Sequence, residues 1–272
     1  MNNKNHPFFS IKGAHSGRFF ICFILLSTFL TNQAYSTTQS SCDLDSSDET
    51  VEITYVIDGD TVILKDDRHV RLIGINTPEI GRNGKPAEQS ADAARKYLLS
   101  LLQENKEVFL KFDIQQFDRY KRTLAHLFLA DGTNIQASLL AEGLATPLTI
   151  PPNLKYLDCY LHHSNQAMTS QRGLWGSGQY KPLPSTALDK GIHGYHVIIG
   201  KVERIGKSRS SIWINLAGNF ALHIKREDLK YFNESTLQGL EGRLIQVRGW
   251  IYNTNKEFRI NLKHRSDMIL IK

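Results

Sequence analysis

The residues best suited to chemistry lie at the ends of short β-branched and apolar runs between residues 54 and 79. Asp58 and Asp60 occupy the junction between the first two runs, and Asn76 to Glu79 ends the third. Turns alone would not require carboxylate and amide side chains at each of these strand junctions. Asp-Gly is nevertheless a common hairpin turn, so residues 58 to 60 alone are also compatible with a purely structural role.

The oxygen donors of this stretch favour a hard cation. The Asp60 carboxylate, the Oδ1 of Asn76 and the carbonyl of Thr77 would form an open site that water and substrate complete. Such ligands suit Ca²⁺ better than zinc. The spaced ligand pattern of an EF-hand is absent from this stretch. We therefore predict a Ca²⁺ site made by Asp60, Asn76 and Thr77.

A carboxylate and two arginines could act on a phosphate beside this cation. Glu79 could hold and deprotonate an attacking water, although it could also cap a loop. Arg71 and Arg122 could bridge phosphate oxygens and stabilise the charge that phosphoryl transfer builds, although surface charge is the usual role of an arginine. The residues before Arg122 offer two cations and an aromatic ring for binding a polynucleotide: Arg119, Tyr120 and Lys121.

Three motifs in order resemble the staphylococcal nuclease family. They are IDGDT at 57–61, RLIGINTPE at 71–79 and DRYKRTLA at 118–125, and the resemblance covers about Val51 to Trp175. It implies a mainly β fold, in which a five-stranded OB-type barrel carries three helices. It also implies Ca²⁺-dependent hydrolysis of phosphodiester bonds in DNA and RNA that leaves 3′-phosphate and 5′-hydroxyl ends.

The resemblance extends to individual site residues. Arg71, Glu79 and Arg122 match the family's active-site residues, and Asp60 and Thr77 match metal ligands. The family's best-known member has aspartate where this chain has Asn76, so we expect weaker Ca²⁺ binding here. The loop at 146–152 also lacks the tyrosines that this member places against the nucleotide base. Substrate binding should therefore depend more on phosphate contacts, which salt weakens.

The alternative to an enzyme is a catalytically weak or inactive module that binds nucleic acid or protein. Asn76 is the one departure that favours it. The presence of Arg71, Glu79 and Arg122 together favours the enzyme.

The first 36 residues have the layout of a signal peptide. Basic residues without Asp or Glu precede the apolar run 19–30, and small residues follow it. The run is shorter than the ~20 residues of a membrane-spanning helix. We expect a secreted or periplasmic monomer without stable membrane association. The alternative is an uncleaved anchor in the inner membrane, which a structural envelope protein would require.

The remaining chain is mildly basic. Removing three basic residues from 33 leaves 30 Lys and Arg against 27 Asp and Glu. A small positive charge permits binding to a polyanion but does not establish it. Cys42 and Cys159 also remain, and an even number of cysteines in an exported protein suggests a disulfide, although sequence does not determine the pairing. A helix predicted from about 153 to 172 would bury Leu157 and Leu161 and turn Cys159 away from that stripe.

Changes in composition divide the chain. We predict a flexible leader at 37–50, the nuclease-like domain at 51–176, a linker at 177–193 and a small β-barrel at 194–272. Five strands with a helix before the fourth fit an OB-fold, although other small barrels fit this count as well. Cations and aromatic residues alternate along its later strands. This pattern suits single-stranded nucleic acid, and an ordinary half-exposed strand has it too: Arg248, Trp250, Tyr252, Arg259 and Lys263.

Overall fold

The computed structural model describes residues 41–81, 84, 86–103, 106–254 and 257–271. The predicted signal peptide and the first residues of the predicted leader lie outside these ranges. Within them, no helix is both long and apolar enough to cross a membrane.

The first half of the described chain forms a closed five-stranded barrel, as predicted. The strand order is β1-β2-β3-β6-β5, with a parallel β3–β6 pair and antiparallel closure between β1 and β5. The elements follow one another as β1 (Glu49–Val56), β2 (Thr61–Leu64), β3 (His69–Leu72), β4 (Ile75–Asn76), α1 (Ala91–Leu102), β5 (Glu107–Lys111), β6 (Thr123–Phe128), α2 (Ile135–Ala141), β7 (Thr146–Pro147) and α3 (Leu157–Thr169).

Alternating apolar residues fill the barrel. Val62 and Leu64 of β2 and Val70 and Leu72 of β3 point inward and are fully buried. This period of two is what a strand with one buried face requires. Helix α2 is capped by Asn134, whose side chain accepts a hydrogen bond from the Ala137 amide.

Helix α3 differs from its prediction. It begins at Leu157, and its buried face carries Cys159, Tyr160, Ser164 and Ala167, whereas Leu157 and Leu161 are only half-buried. The Tyr160 hydroxyl lies 2.7 Å from His126 Nδ1, so the large ring is buried with its polar atom paired. The helix is therefore rotated so that aromatic rather than leucine side chains fill the space beneath the barrel.

This rotation turns Cys159 inward, where it forms a disulfide with Cys42. The two Cα atoms lie 5.6 Å apart. The segment before β1 is further held by Lys111, whose ammonium lies 3.4 Å from Asp48 Oδ1. Strand β1 itself begins at Glu49, inside the predicted leader. The described part of that leader is thus attached to the barrel.

The second half forms another closed ring of strands, β9-β10-β11-β13-β12, in which β12 pairs back to β9. Its third and fifth strands, β11 and β13, are parallel, as β3 and β6 are in the first barrel. Both barrels therefore have the strand order of an OB-fold. The elements are β8 (Leu183–Pro184), β9 (Gly194–Lys207), β10 (Ser211–Leu216), β11 (Phe220–Lys225), α4 (Glu234–Gln238), β12 (Leu244–Asn253), β13 (Phe258–Leu262) and β14 (Met268–Leu270).

A row of aromatic rings connects the two barrels. Tyr180, in the segment predicted as a linker, is buried and lies 5.9 Å from the ring of Trp175 and 5.6 Å from that of Tyr195. Strand β8, from the same segment, pairs with β9. The segment thus packs onto both barrels, and the described residues belong to one compact unit.

We predict that reducing the Cys42–Cys159 disulfide lowers the free energy of unfolding. The bridge closes a loop with a sequence separation of 117 residues. Such a loop corresponds to about 4–5 kcal/mol in the chain-entropy model. Urea unfolding with and without dithiothreitol measures the effect, and the Cys42→Ser/Cys159→Ser variant should no longer respond to the reductant. Equal unfolding midpoints for the oxidised and reduced wild type would contradict this prediction.

Candidate active site

The turn between β1 and β2 places two buried carboxylates side by side. Asp58 and Asp60 are 5% and 3% exposed, and Asp58 Oδ1 accepts a hydrogen bond from the Asp60 amide at 3.0 Å. A side chain at Gly59 would lie 2.7 Å from Thr77 Cγ2 and 2.8 Å from Ala94 Cβ. The turn is therefore restricted to glycine by its neighbours, and both carboxylates are held in the interior.

Asp60 connects the segments that form the site. Its Oδ1 accepts a hydrogen bond from the Thr61 hydroxyl at 2.9 Å, and its Oδ2 accepts one from the Thr77 amide at 2.8 Å. The same Oδ2 lies 3.0 Å from Arg71 Nη2. Asp60 thus links β2 and β3 to Thr77, which directly follows Asn76 at the end of β4.

The donor set fits a hard divalent cation. Burial, together with the charge of Asp60, raises the pKa of Asp58 to about 7, which the Arg71 guanidinium only partly opposes. Buried carboxylates in excess over nearby cations favour the binding of a metal ion. The Thr77 hydroxyl oxygen is buried, with no hydrogen-bond partner in the described part of the chain.

A cleft of about 670 Å³ opens beside these carboxylates. Its walls bring together most of the predicted site residues, whereas Asp60, Thr77 and Lys121 are not part of its lining. Asp60 lies behind Arg71, and Lys121 occupies the tip of a turn with a positive φ of 64°. The predicted residues that line the cleft are Arg71, Asn76, Glu79, Arg119, Tyr120 and Arg122.

Arg122 is held by a residue that the sequence analysis did not single out. Asp118 Oδ2 accepts a hydrogen bond from Arg122 Nε at 2.7 Å, and its Oδ1 accepts one from the Arg122 amide at 2.9 Å. Partial burial opposes ionisation, but these hydrogen bonds hold the pKa of Asp118 below its usual value. The sequence motif DRYKR contains both partners, because Asp118 and Arg122 are its first and last residues. This spacing of four residues could have indicated the ion pair.

Tyr120 organises the cations around it. Its ring lies 4.7 Å from the guanidinium carbon of Arg119 and 5.5 Å from that of Arg122. Its hydroxyl accepts a hydrogen bond from Arg119 Nη2 at 2.6 Å. Because both guanidiniums lie near the ring, Tyr120 positions two cations of the cleft and also offers an aromatic surface.

Glu79 is an exposed residue that lines the cleft. Its amide donates to Glu88 Oε2 at 3.1 Å, and its carbonyl accepts from the Glu88 amide at 2.9 Å. These bonds attach the segment after Pro78 to the approach to α1, while the Glu79 side chain remains exposed. A carboxylate placed near two arginines can hold a water for attack on a bound phosphate.

Comparisons with known proteins match a part of the chain that overlaps the first barrel. The family model for staphylococcal nuclease homologues matches residues 69–177. The thermonuclease of Staphylococcus intermedius is 37% identical over 130 residues, which cover 47% of this chain and 76% of that protein. This chain belongs to the staphylococcal nuclease family. The thermonuclease of Staphylococcus hyicus is 31% identical over 140 residues, 49% of this chain and 79% of that protein.

The chain is also similar to the probable endonuclease LCL3 of Komagataella phaffii. The two are 28% identical over 127 residues, which cover 42% of this chain and 54% of that protein. Membership of the staphylococcal nuclease family makes this chain a nuclease, a hydrolase of phosphodiester bonds. The family model begins after Asp60 and ends before the second barrel.

The cleft also contains residues from outside the matched region. Trp250 of β12 and Lys263 after β13 line it together with Arg71 and Glu79. The alternation of aromatic and basic residues along these strands had suggested contact with nucleic acid, but not contact with this cleft.

We predict that Asp118→Asn lowers turnover by about tenfold, because it leaves Arg122 without its charged anchor. Removal of the guanidinium in Arg122→Ala should cost about 10²-fold, as for other preorganised donors. Since both changes act through one group, the double variant should be no slower than Arg122→Ala alone. Additive losses in the measured kcat/KM values would contradict this coupling.

We further predict a pH-dependent effect of Asp58→Asn on stability in the presence of a chelator. A raised pKa means that the folded wild type loses stability as pH rises from about 4 to 7, because ionised Asp58 is disfavoured in the fold. The asparagine side chain can still accept a hydrogen bond from the Asp60 amide, but it does not ionise. The variant's free energy of unfolding, relative to wild type, should therefore increase by at least ~1 kcal/mol between pH 5 and pH 8. A pH-independent difference would contradict the prediction.

Proposed function

We propose that this protein is an exported Ca²⁺-dependent nuclease that cleaves both DNA and RNA and leaves 3′-phosphate ends. The observation that carries the proposal is the single cleft in which Arg71, Glu79 and Arg122 converge beside the buried Asp60. Export is supported by the layout of the first 36 residues. We expect the exported chain to act as a monomer without stable membrane association.

The chemistry follows from the groups that face the cleft. Glu79 would orient a water molecule and accept its proton as the oxygen attacks phosphorus. Arg71 and Arg122 would bind the equatorial phosphate oxygens, whose charge they stabilise as the bond to the 5′-oxygen breaks. The departing 5′-oxygen takes a proton to become a hydroxyl, and the phosphate remains on the 3′-oxygen.

Asp60, Asn76 and the Thr77 carbonyl are the residues that would hold Ca²⁺. The ion would supply charge neutralisation and orientation of the phosphate. The burial of Asp60 and the contact of its Oδ2 with the Thr77 amide at 2.8 Å support this assignment. Among first-row and alkaline-earth cations, the oxygen donors favour Ca²⁺ over softer metals.

Cleavage of both DNA and RNA is supported by the kind of groups in the cleft. The cations Arg71, Arg119 and Arg122 can bind phosphate, which the two polymers share. The loop of residues 146–152 contributes Leu148, Ile150 and Pro151 to the cleft and no aromatic ring.

We predict that Glu79→Gln keeps the fold and the binding of single-stranded DNA but lowers turnover by ~10²-fold or more. Cleavage by the wild type should stop with a chelator and return with Ca²⁺. The matched control is Glu203→Gln, the same change at an exposed glutamate of β9 that does not line the cleft, and it should keep the wild-type turnover. Unchanged turnover in Glu79→Gln would remove this residue from the mechanism. Binding by the wild type without cleavage under any divalent ion would support the binding-module alternative.

We also predict that Asn76→Asp lowers the Ca²⁺ concentration needed for half-maximal activity. The change adds a negative charge to an oxygen donor at a cation site, which strengthens binding to a hard cation. Asn76→Ala is the control and should raise that concentration. A Ca²⁺ titration of initial cleavage rates measures both, and equal midpoints for all three proteins would place the ion elsewhere.

A further inference from the structure

The second barrel forms one side of the cleft. Trp250 and Lys263 line the same cavity as Arg71 and Glu79. A second depression of about 360 Å³ shares Trp250 and Lys263 and continues to Tyr252. The surface beside the catalytic residues therefore extends across the second barrel.

This barrel is fixed to the loop that borders the cleft. The Tyr195 hydroxyl donates to the Pro147 carbonyl at 3.3 Å, and the hydroxyl oxygens of Thr149 and Ser266 lie 2.9 Å apart. Arg248 Nη2 donates to the Ser266 carbonyl at 2.8 Å, which holds that segment of the second barrel. Trp250 is consequently held in a defined position relative to the catalytic residues.

The geometry of Trp250 suits a stacking residue. Its indole is 44% exposed and packs edge-to-face on Tyr195, with ring centroids 4.9 Å apart. Tyr195 belongs to the aromatic row that continues through Tyr180. Trp250 is thus supported by Tyr195 on one side and keeps an accessible surface for a planar ligand.

Lys263 differs from the two arginines that the sequence pattern grouped with it. Arg259 pairs with Glu257 at 2.6 Å, and Arg248 is buried against Ser266 and Asp267. Lys263 forms no salt bridge within the described ranges, and its exposed charge acts at longer range on the carboxyl groups of Asp228 and Asp267. Its charge is therefore available to an anion in the cleft.

We propose that the second barrel supplies a substrate subsite, in which Trp250 stacks on an unpaired base next to the scissile phosphate and Lys263 binds an adjacent phosphate. This inference rests on the proposed nuclease function and names the substrate as a single strand that extends beyond the cleaved bond. Stacking requires an unpaired base, and cations with aromatic rings are the usual means of binding single strands. The aromatic contact that the loop of residues 146–152 does not offer would thus come from the other barrel.

The test compares Trp250→Ala, Trp250→Phe and Lys263→Gln with wild type in cleaving a single-stranded DNA oligonucleotide of twelve nucleotides. Base stacking contributes about 1–3 kcal/mol, so Trp250→Ala should raise KM about tenfold, and Trp250→Phe should restore most of the loss. The loss should appear in KM rather than kcat, because stacking holds substrate and transition state alike. Lys263→Gln should lower the slope of log KM against log salt concentration. The decrease should equal the contribution of about one phosphate contact.

Two matched controls lie elsewhere on the surface. Tyr55 is an aromatic residue of β1 with 53% exposure, and Lys201 is an exposed cation of β9; neither lines the cleft. Tyr55→Ala and Lys201→Gln repeat the loss of a ring or a charge away from the proposed subsite. Both should retain the wild-type KM and salt dependence.

Direct binding separates this proposal from the nuclease itself. Affinity for the same oligonucleotide, measured by fluorescence anisotropy in a chelator, should fall in Trp250→Ala and recover in Trp250→Phe. If the wild type binds with this pattern but does not cleave, the proposed function fails and the subsite stands. If Trp250→Ala binds and cleaves the oligonucleotide like the wild type, the proposed subsite is wrong, even if the protein is a nuclease.

Discussion

The carboxylate of Asp60 is the constraint on which the site depends. It is buried, it accepts hydrogen bonds from Thr61 and the Thr77 amide, and it pairs with Arg71. A charge in such a position is costly unless it is paired and hydrogen-bonded. The barrel strands β2 and β3 and the turn after β4 are therefore fixed relative to one another by the same group that would bind the cation. A substitution at Asp60 would therefore disturb the positions of Arg71 and Thr77 together.

The two barrels have the same topology but contribute different parts of the site. The first barrel supplies the buried carboxylates and the arginines, and the second supplies exposed groups along one wall of the cleft. The aromatic row from Trp175 to Trp250 connects them through the predicted linker. Because that segment is packed, side-chain contacts as well as the polypeptide chain join the second barrel to the first.

Much of this arrangement could be predicted from the sequence because it depends on local patterns. Alternating β-branched residues predict the strands, and the motif residues cluster because strand junctions bring them together. The rotation of α3 could not be predicted, because burial of Tyr160 depends on His126, which lies far away in sequence. The position of Tyr160 also depends on Gly74, because a side chain at Gly74 would lie 2.5 Å from the Tyr160 ring. Nor could the position of Trp250 in the cleft be predicted, because packing between the barrels has no local signature.

The disulfide between Cys42 and Cys159 gives the fold a dependence on its surroundings. Its two sulfurs come from the segment before β1 and from the buried face of α3. In a reducing compartment these would be two separate thiols, and the chain would lack the covalent closure of its first domain. The fold would thus be less stable in a reducing compartment than in an oxidising one, because only the latter preserves the bond between these two segments.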